Sequence, residues 1–122
     1  MNRRALEKII FDKYGVKPDY PWKTDKSSAV FRHADNKKWF ALIMDIPKAR
    51  LMPKAEGFFS VVNFKCDVIL AGSYLNKPGF FAAYHMNKEK WITAALDGTA
   101  PDDDIKLLLD LSFNLTQGKS RK

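Results

Sequence analysis

One cysteine, Cys66, stands in 122 residues, so no internal disulfide and no multi-cysteine zinc site can form. Long apolar runs are missing as well, and no window approaches the ~20 apolar residues that a membrane-spanning helix needs. The opening stretch, Met1-Asn2-Arg3-Arg4-Ala5-Leu6-Glu7, soon meets base and acid and lacks a signal-peptide apolar region. A cytoplasmic location and no membrane partner are the expectation. Internal repeats, low-complexity segments and linkers are absent too, so residues 1 to 122 read as one domain, with a polar tail at 117 to 122 expected to fray.

What is present is a globular composition. Hydrophobic residues make up 46% and aromatics 13%, enough for a core of large rings. A chain of this length buries roughly two-thirds of its unfolded surface. The 21 basic residues exceed the 14 acidic ones by seven, and that charge favours encounter with polyanions such as nucleic acid.

Residues 3 to 14 follow helical spacing through Leu6, Ile9, Ile10 and Tyr14, with Asn2 as N-cap and Gly15 at C′. Pro18 and Pro21 mark an extended connection in which Trp22 covers a core edge. Ala29 to His33 and Lys38 to Asp45 read as a hairpin, its turn supplied by Asp35 and Asn36, which tolerate φ > 0. Trp39, Ala41 and Ile43 are expected on one face of the second strand and Phe40, Leu42 and Met44 on the other. From 46 to 57 the chain reads as a loop with a short edge strand near Arg50 to Met52, and Phe58 to Phe64 is a strand. A short helix over Asp67 to Tyr74 follows, then a second hairpin of Phe80 to Met86 and Trp91 to Leu96. The last helix has Thr99 and Asp102 at capping-box spacing and Pro101 in its first turn. Its stripe of Ile105, Leu108, Leu109, Ser112 and Phe113 faces inward, and Leu107, Leu111 and Leu115 are expected to widen it. The order predicts an α+β fold: a mainly antiparallel sheet with N- and C-terminal helices on one face, plus one short internal helix.

Several stretches together resemble the YjbR/MmcQ family. They are Lys65-Cys66-Asp67 ahead of the short helix, Tyr84-His85-Met86-Asn87-Lys88 followed by Trp91, and Leu96-Asp97-Gly98-Thr99 with Pro101-Asp102 and Ser112-Phe113. Tyr20-Pro21-Trp22 and Lys38-Trp39-Phe40-Ala41 extend the match to nearly the whole chain. Three departures stand out: Ala34-Asp35-Asn36 where the family often has Gly, Val68 where it has Pro, and a longer stretch from Ile46 to Gly57. The resemblance implies a frataxin-like α-β sandwich, and DNA binding through two β-hairpins.

Candidate chemistry is sparse. His85 has no nucleophile or carboxylate at a fixed short spacing, so no catalytic residue is assigned. Cys66 is read as a buried, inert thiol and His33 as a solvated strand end. Asp102-Asp103-Asp104 are accounted for by capping and the helix dipole, so no metal or cofactor is expected. The remaining candidate is a nucleic-acid-binding surface on the hairpins: Arg32, Lys37 and Lys38 on the first, Asn87, Lys88, Lys90 and Trp91 on the second. Cations neutralise phosphates, Asn reads base edges and Trp stacks on bases, with weak sequence preference. The alternative is a cleft lined by Lys65, His85, Asn87 and Trp91 that takes a small acidic ligand or a protein partner.

Overall fold

The computed structural model describes residues 1–118, so most of the tail expected to fray lies outside the described residues. Helix α1 (Arg3–Tyr14) starts where the Asn2 side chain accepts the Ala5 N–H, and stops at Gly15 in the left-handed region (φ 70°). Strands β1 (Ala29–Arg32), β2 (Trp39–Pro47), β3 (Phe58–Lys65), β4 (Phe80–Ala82) and β5 (Trp91–Ala95) form one sheet in the order β1-β2-β3-β5-β4. All four neighbouring pairs are antiparallel. Helix α2 (Val68–Tyr74) follows β3, with Asp67 capping the Leu70 N–H, and α3 (Asp102–Thr116) closes the order.

The register sorts the side chains. Ala29, Phe31, Ala41, Ile43, Val62, Phe64, Phe80, Ile92 and Ala94 pair across the strands and form one core with Leu6 and Ile10 of α1, Ala71 and Tyr74 of α2, and Ile105, Leu108 and Leu109 of α3. All three helices therefore pack on one face. On the opposite face, Ile46, Phe59, Val61 and Ala95 form a smaller cluster under Leu51, Met52, Phe81 and Tyr84, covered by loops.

One irregularity re-aims two aromatics. Phe31 faces Ala41 but Arg32 faces Trp39, so Phe40 is the extra residue of a bulge. Phe40 joins the helix side, packing edge-on against Tyr14 and Phe113, and Trp39 goes to the other face with Leu42 and Met44. Strict alternation predicts Trp39 on the face of Ala41, and the bulge overturns it.

Other expectations are corrected. After β2 the chain turns through a single 3₁₀ turn (Lys48–Arg50), with Leu51 and Met52 N–H both bonded to the Lys48 carbonyl, so no edge strand forms at 50 to 52. In the first hairpin the positive φ falls on Lys37 (65°), because Asn36 spends its side chain on the Lys38 N–H and the Thr116 carbonyl. The second hairpin is shorter than expected: β4 stops at Ala82, since the Tyr84 N–H bonds the Thr93 hydroxyl instead of a strand partner. No capping box forms at α3, whose N-cap is Pro101; both the Thr99 N–H and its hydroxyl bond Asp97. Leu107, Leu111 and Leu115 are exposed, at 49%, 38% and 56%, and do not widen the packed stripe. His33 is buried.

Candidate functional site

The two hairpin connections, 33–38 and 83–90, leave the same end of the sheet, where β1, β3 and β4 finish and β2 and β5 begin. Across that end a row of side chains alternates cation and indole. Arg32 pairs with Trp39 and Lys65 pairs with Trp91 in the register. The Arg32 guanidinium lies 5.9 Å from the centre of the Trp39 ring, and Lys65 Nζ lies 5.7 Å from that of Trp91. Lys38, Trp39, Lys65 and Trp91, with Leu115 and Thr116 of α3, line a recess of about 270 Å³. Lys37, Lys38, Lys88 and Lys90 are exposed on the two connections. Among the described residues these four and Lys65 make no ion pair, whereas Arg32 is held by Asp19 at 2.6 Å.

The end of the sheet is held by α3. The bulge at Phe40 frees its carbonyl, and the fully buried Ser112 hydroxyl donates to it at 2.6 Å while accepting the Lys65 N–H at 2.8 Å. His33 Nε2 lies 2.9 Å from Thr116 Oγ1, whose own proton goes to the Ser112 carbonyl, so the ring donates through Nε2. Burial lowers the His33 pKa below its ordinary value, the Asp35 charge working the other way.

A second concavity, about 410 Å³, opens on the loop-covered face. Leu42 and Met44 form its floor, and Met86 and His85 one wall. Trp22 and Trp39 stand edge to face at its mouth, 5.8 Å apart at 88°. A polar corner comes from Thr24, Asp25 and Ser28. Asp25 accepts both hydroxyls and both N–H groups of Ser27 and Ser28, and the Ser28 hydroxyl foremost among them holds its carboxyl below the usual range. The segment before Trp22 is fixed by the Asp19–Val30 bridge, and the Arg3 guanidinium donates to the Ser27 carbonyl.

His85 takes a left-handed backbone (φ 58°), uncommon for a residue with a side chain, and its ring lies 4.1 Å from that of Tyr84. A buried network imposes this turn. The fully buried Thr93 donates to fully buried Asn63, Asn63 Nδ2 donates to the Tyr84 carbonyl at 3.3 Å, and the Tyr84 N–H returns to Thr93 at 2.9 Å.

The sequence candidates separate into two groups. Arg32, Lys37, Lys38, Lys65, Lys90 and Trp91 gather at the sheet end. His85 lines the 410 Å³ cleft and a neighbouring one with Lys88, so the recess of Lys65 and Trp91 does not include it. Asn87 closes its own turn by accepting the Glu89 N–H at 2.8 Å. Lys88 folds back, Nζ donating to the Ala83 carbonyl at 3.1 Å. Trp91 is 9% exposed and forms a wall; Trp22, at 38%, is the more open indole. Cys66 is buried, and burial with the nearby Asp67 charge pushes its thiol up to about 11, a value that leaves it protonated at neutral pH. Sequence reasoning missed Trp22, Met44, Met86 and the Asp25–Ser28 corner as site residues. The one signal was Trp22 in a proline-marked, extended segment.

Comparison with known proteins agrees with this architecture. A family model described as YjbR matches residues 11–115. The Bacillus subtilis protein YyaQ, called uncharacterized, is 36% identical over 117 residues, covering 96% of this chain and 99% of its own. A Pseudomonas syringae protein is similar in its crystal structure, with a TM-score of 0.93 and 44% identity over 96% of this chain and all of the other. A Deinococcus radiodurans structure, 20% identical with a TM-score of 0.69 over 99% of this chain and 82% of its own, shares the fold. Matched over most of its length by the family model and by these relatives, the chain belongs to the YjbR family.

Proposed function

We propose that this protein is a nucleic-acid-binding module that docks phosphates on the hairpin end of its sheet. The observation that carries the reading is the row Arg32, Trp39, Lys65, Trp91, flanked by exposed Lys37, Lys38 and Lys90. Lysines without ion pairs keep their charge available for phosphate, and the half-buried Trp39 indole beside them offers surface to a sugar or base, while buried Trp91 backs Lys65. The contacts are to backbone charge, so sequence preference is weak. A small acidic ligand in the recess of Lys38 and Lys65 is the second reading, favoured by the recess itself.

A fluorescence-anisotropy titration with labelled DNA and RNA at two salt concentrations tests both. Affinity should fall steeply with salt, with a log–log slope of about −0.9 for each phosphate contacted on duplex DNA. Lys37→Ala, Lys38→Ala and Lys90→Ala should each weaken binding and flatten that slope by about one unit at most. Absence of salt-sensitive binding to either nucleic acid at tens of micromolar sinks the reading and leaves the small-ligand recess.

A further inference from the structure

We infer that the cleft between Trp22 and Trp39 receives one unpaired base of the bound nucleic acid, so that the protein selects single strands over duplex. This rests on the nucleic-acid reading and adds to it a site that the hairpin lysines do not make. The link between the two is Trp39, which walls both the Lys38–Lys65 recess and the cleft on the adjoining sheet face. A strand whose phosphate sits at Lys38 and Lys65 has the cleft mouth beside it.

Three features of the cleft describe its occupant. Its floor and one wall are apolar, from Leu42, Met44 and Met86. Two indoles at right angles stand at its mouth, and Trp22, exposed at the edge of its loop, offers a ring face or edge to a flat group. One corner is polar: buried Ser28 gives its proton to Asp25 Oδ2, and Asp25 Oδ1 already accepts three bonds from Ser27 and Ser28. Oδ2 and the Thr24 hydroxyl are therefore the groups there with capacity to accept an incoming N–H. A flat ring with apolar faces and N–H groups on its edge, carried on an anionic chain, is an unpaired nucleobase. At about 410 Å³ the cleft lies within the range of small-molecule sites. A base in duplex is stacked on both faces and paired along its edge, so it cannot enter without being pulled from the helix. The His85 turn, fixed by the Asn63–Thr93 network, holds the far wall in place before any ligand arrives.

The test uses the full chain and three labelled probes of equal length: a single-stranded oligodeoxyadenylate, the corresponding duplex, and a strand of abasic deoxyribose phosphates. Anisotropy should give the single strand about 5- to 150-fold tighter binding than the abasic strand, the range expected for one stacked base. The single strand should also bind more tightly than the duplex and quench tryptophan fluorescence, and the abasic strand should leave that fluorescence unchanged. Trp22→Ala, an exposed position whose melting temperature should be kept, should bring the single strand down to the affinity of the abasic one. Equal, salt-sensitive binding of all three probes overturns this inference and leaves the phosphate interface standing, as does full single-strand preference in Trp22→Ala. No binding of any probe overturns both.

Discussion

His33 sits where a charge is least welcome, ringed by Phe40 and Phe113 and donating to Thr116. Its folded-state pKa lies below the ordinary 6.5, so between the two values the unfolded chain binds the extra proton. Stability is therefore fully present above about pH 6.5 and falls as the pH drops from there toward the folded value. Chemical denaturation of the native protein between pH 7.5 and 5 should show this fall, and His33→Gln should flatten it. A profile equally steep in the variant would remove His33 from the account. Loss of the carboxylate bonds at Asp25 adds a separate step at lower pH, because that group is depressed rather than raised. In the sequence His33 reads as a solvated strand end, because its partners lie on α3, 83 residues away at Thr116. The burial of Cys66 was legible, since a small residue at a strand–helix junction is ordinarily buried.

At the scale of elements, α3 shows what periodicity can and cannot tell. Leu108 and Leu111 differ by three positions and are equally apolar, yet Leu108 is fully buried and Leu111 is 38% exposed. Leu108→Ala should cost about 2–5 kcal/mol as a core truncation. Leu111→Ala should stay within about 0.5 kcal/mol, and urea melts of the two variants separate them. Equal losses would mean that the outer leucines are covered in solution. A stripe wider than one helix face reads as deep packing, but the sheet offers a single contact surface. Helix α1 and the start of α2 were legible because their caps are local: Asn2 with Ala5, Asp67 with Leu70. The bulge at Phe40 was not, because it depends on Ser112 reaching its carbonyl from the far end of the chain.

For the whole molecule, the sheet divides the labour. One face is closed by three helices, and the other carries loops, the Trp22–Trp39 cleft and the row of cations at its end. The hairpin lysines could be named from sequence because turn residues are exposed almost by definition. The cleft could not, since Trp22, Ser28, Met44 and Met86 come from separate segments that only the strand register brings together. Asp102, Asp103 and Asp104 lie at the start of α3, and its last turn meets the basic end of the sheet.

The tie between the first hairpin and the last turn of α3 also governs how the molecule opens. His33 and Asn36 both bond Thr116, so that turn cannot unwind without releasing the hairpin. The two segments, distant in the chain, then form one cooperative unit of local unfolding. Native-state hydrogen exchange followed by NMR should find amides at 33–38 and at Phe113–Thr116 sharing one opening free energy. Protonation of His33 at mild acid should lower both together. Independent exchange of the two would show that the tie does not couple them.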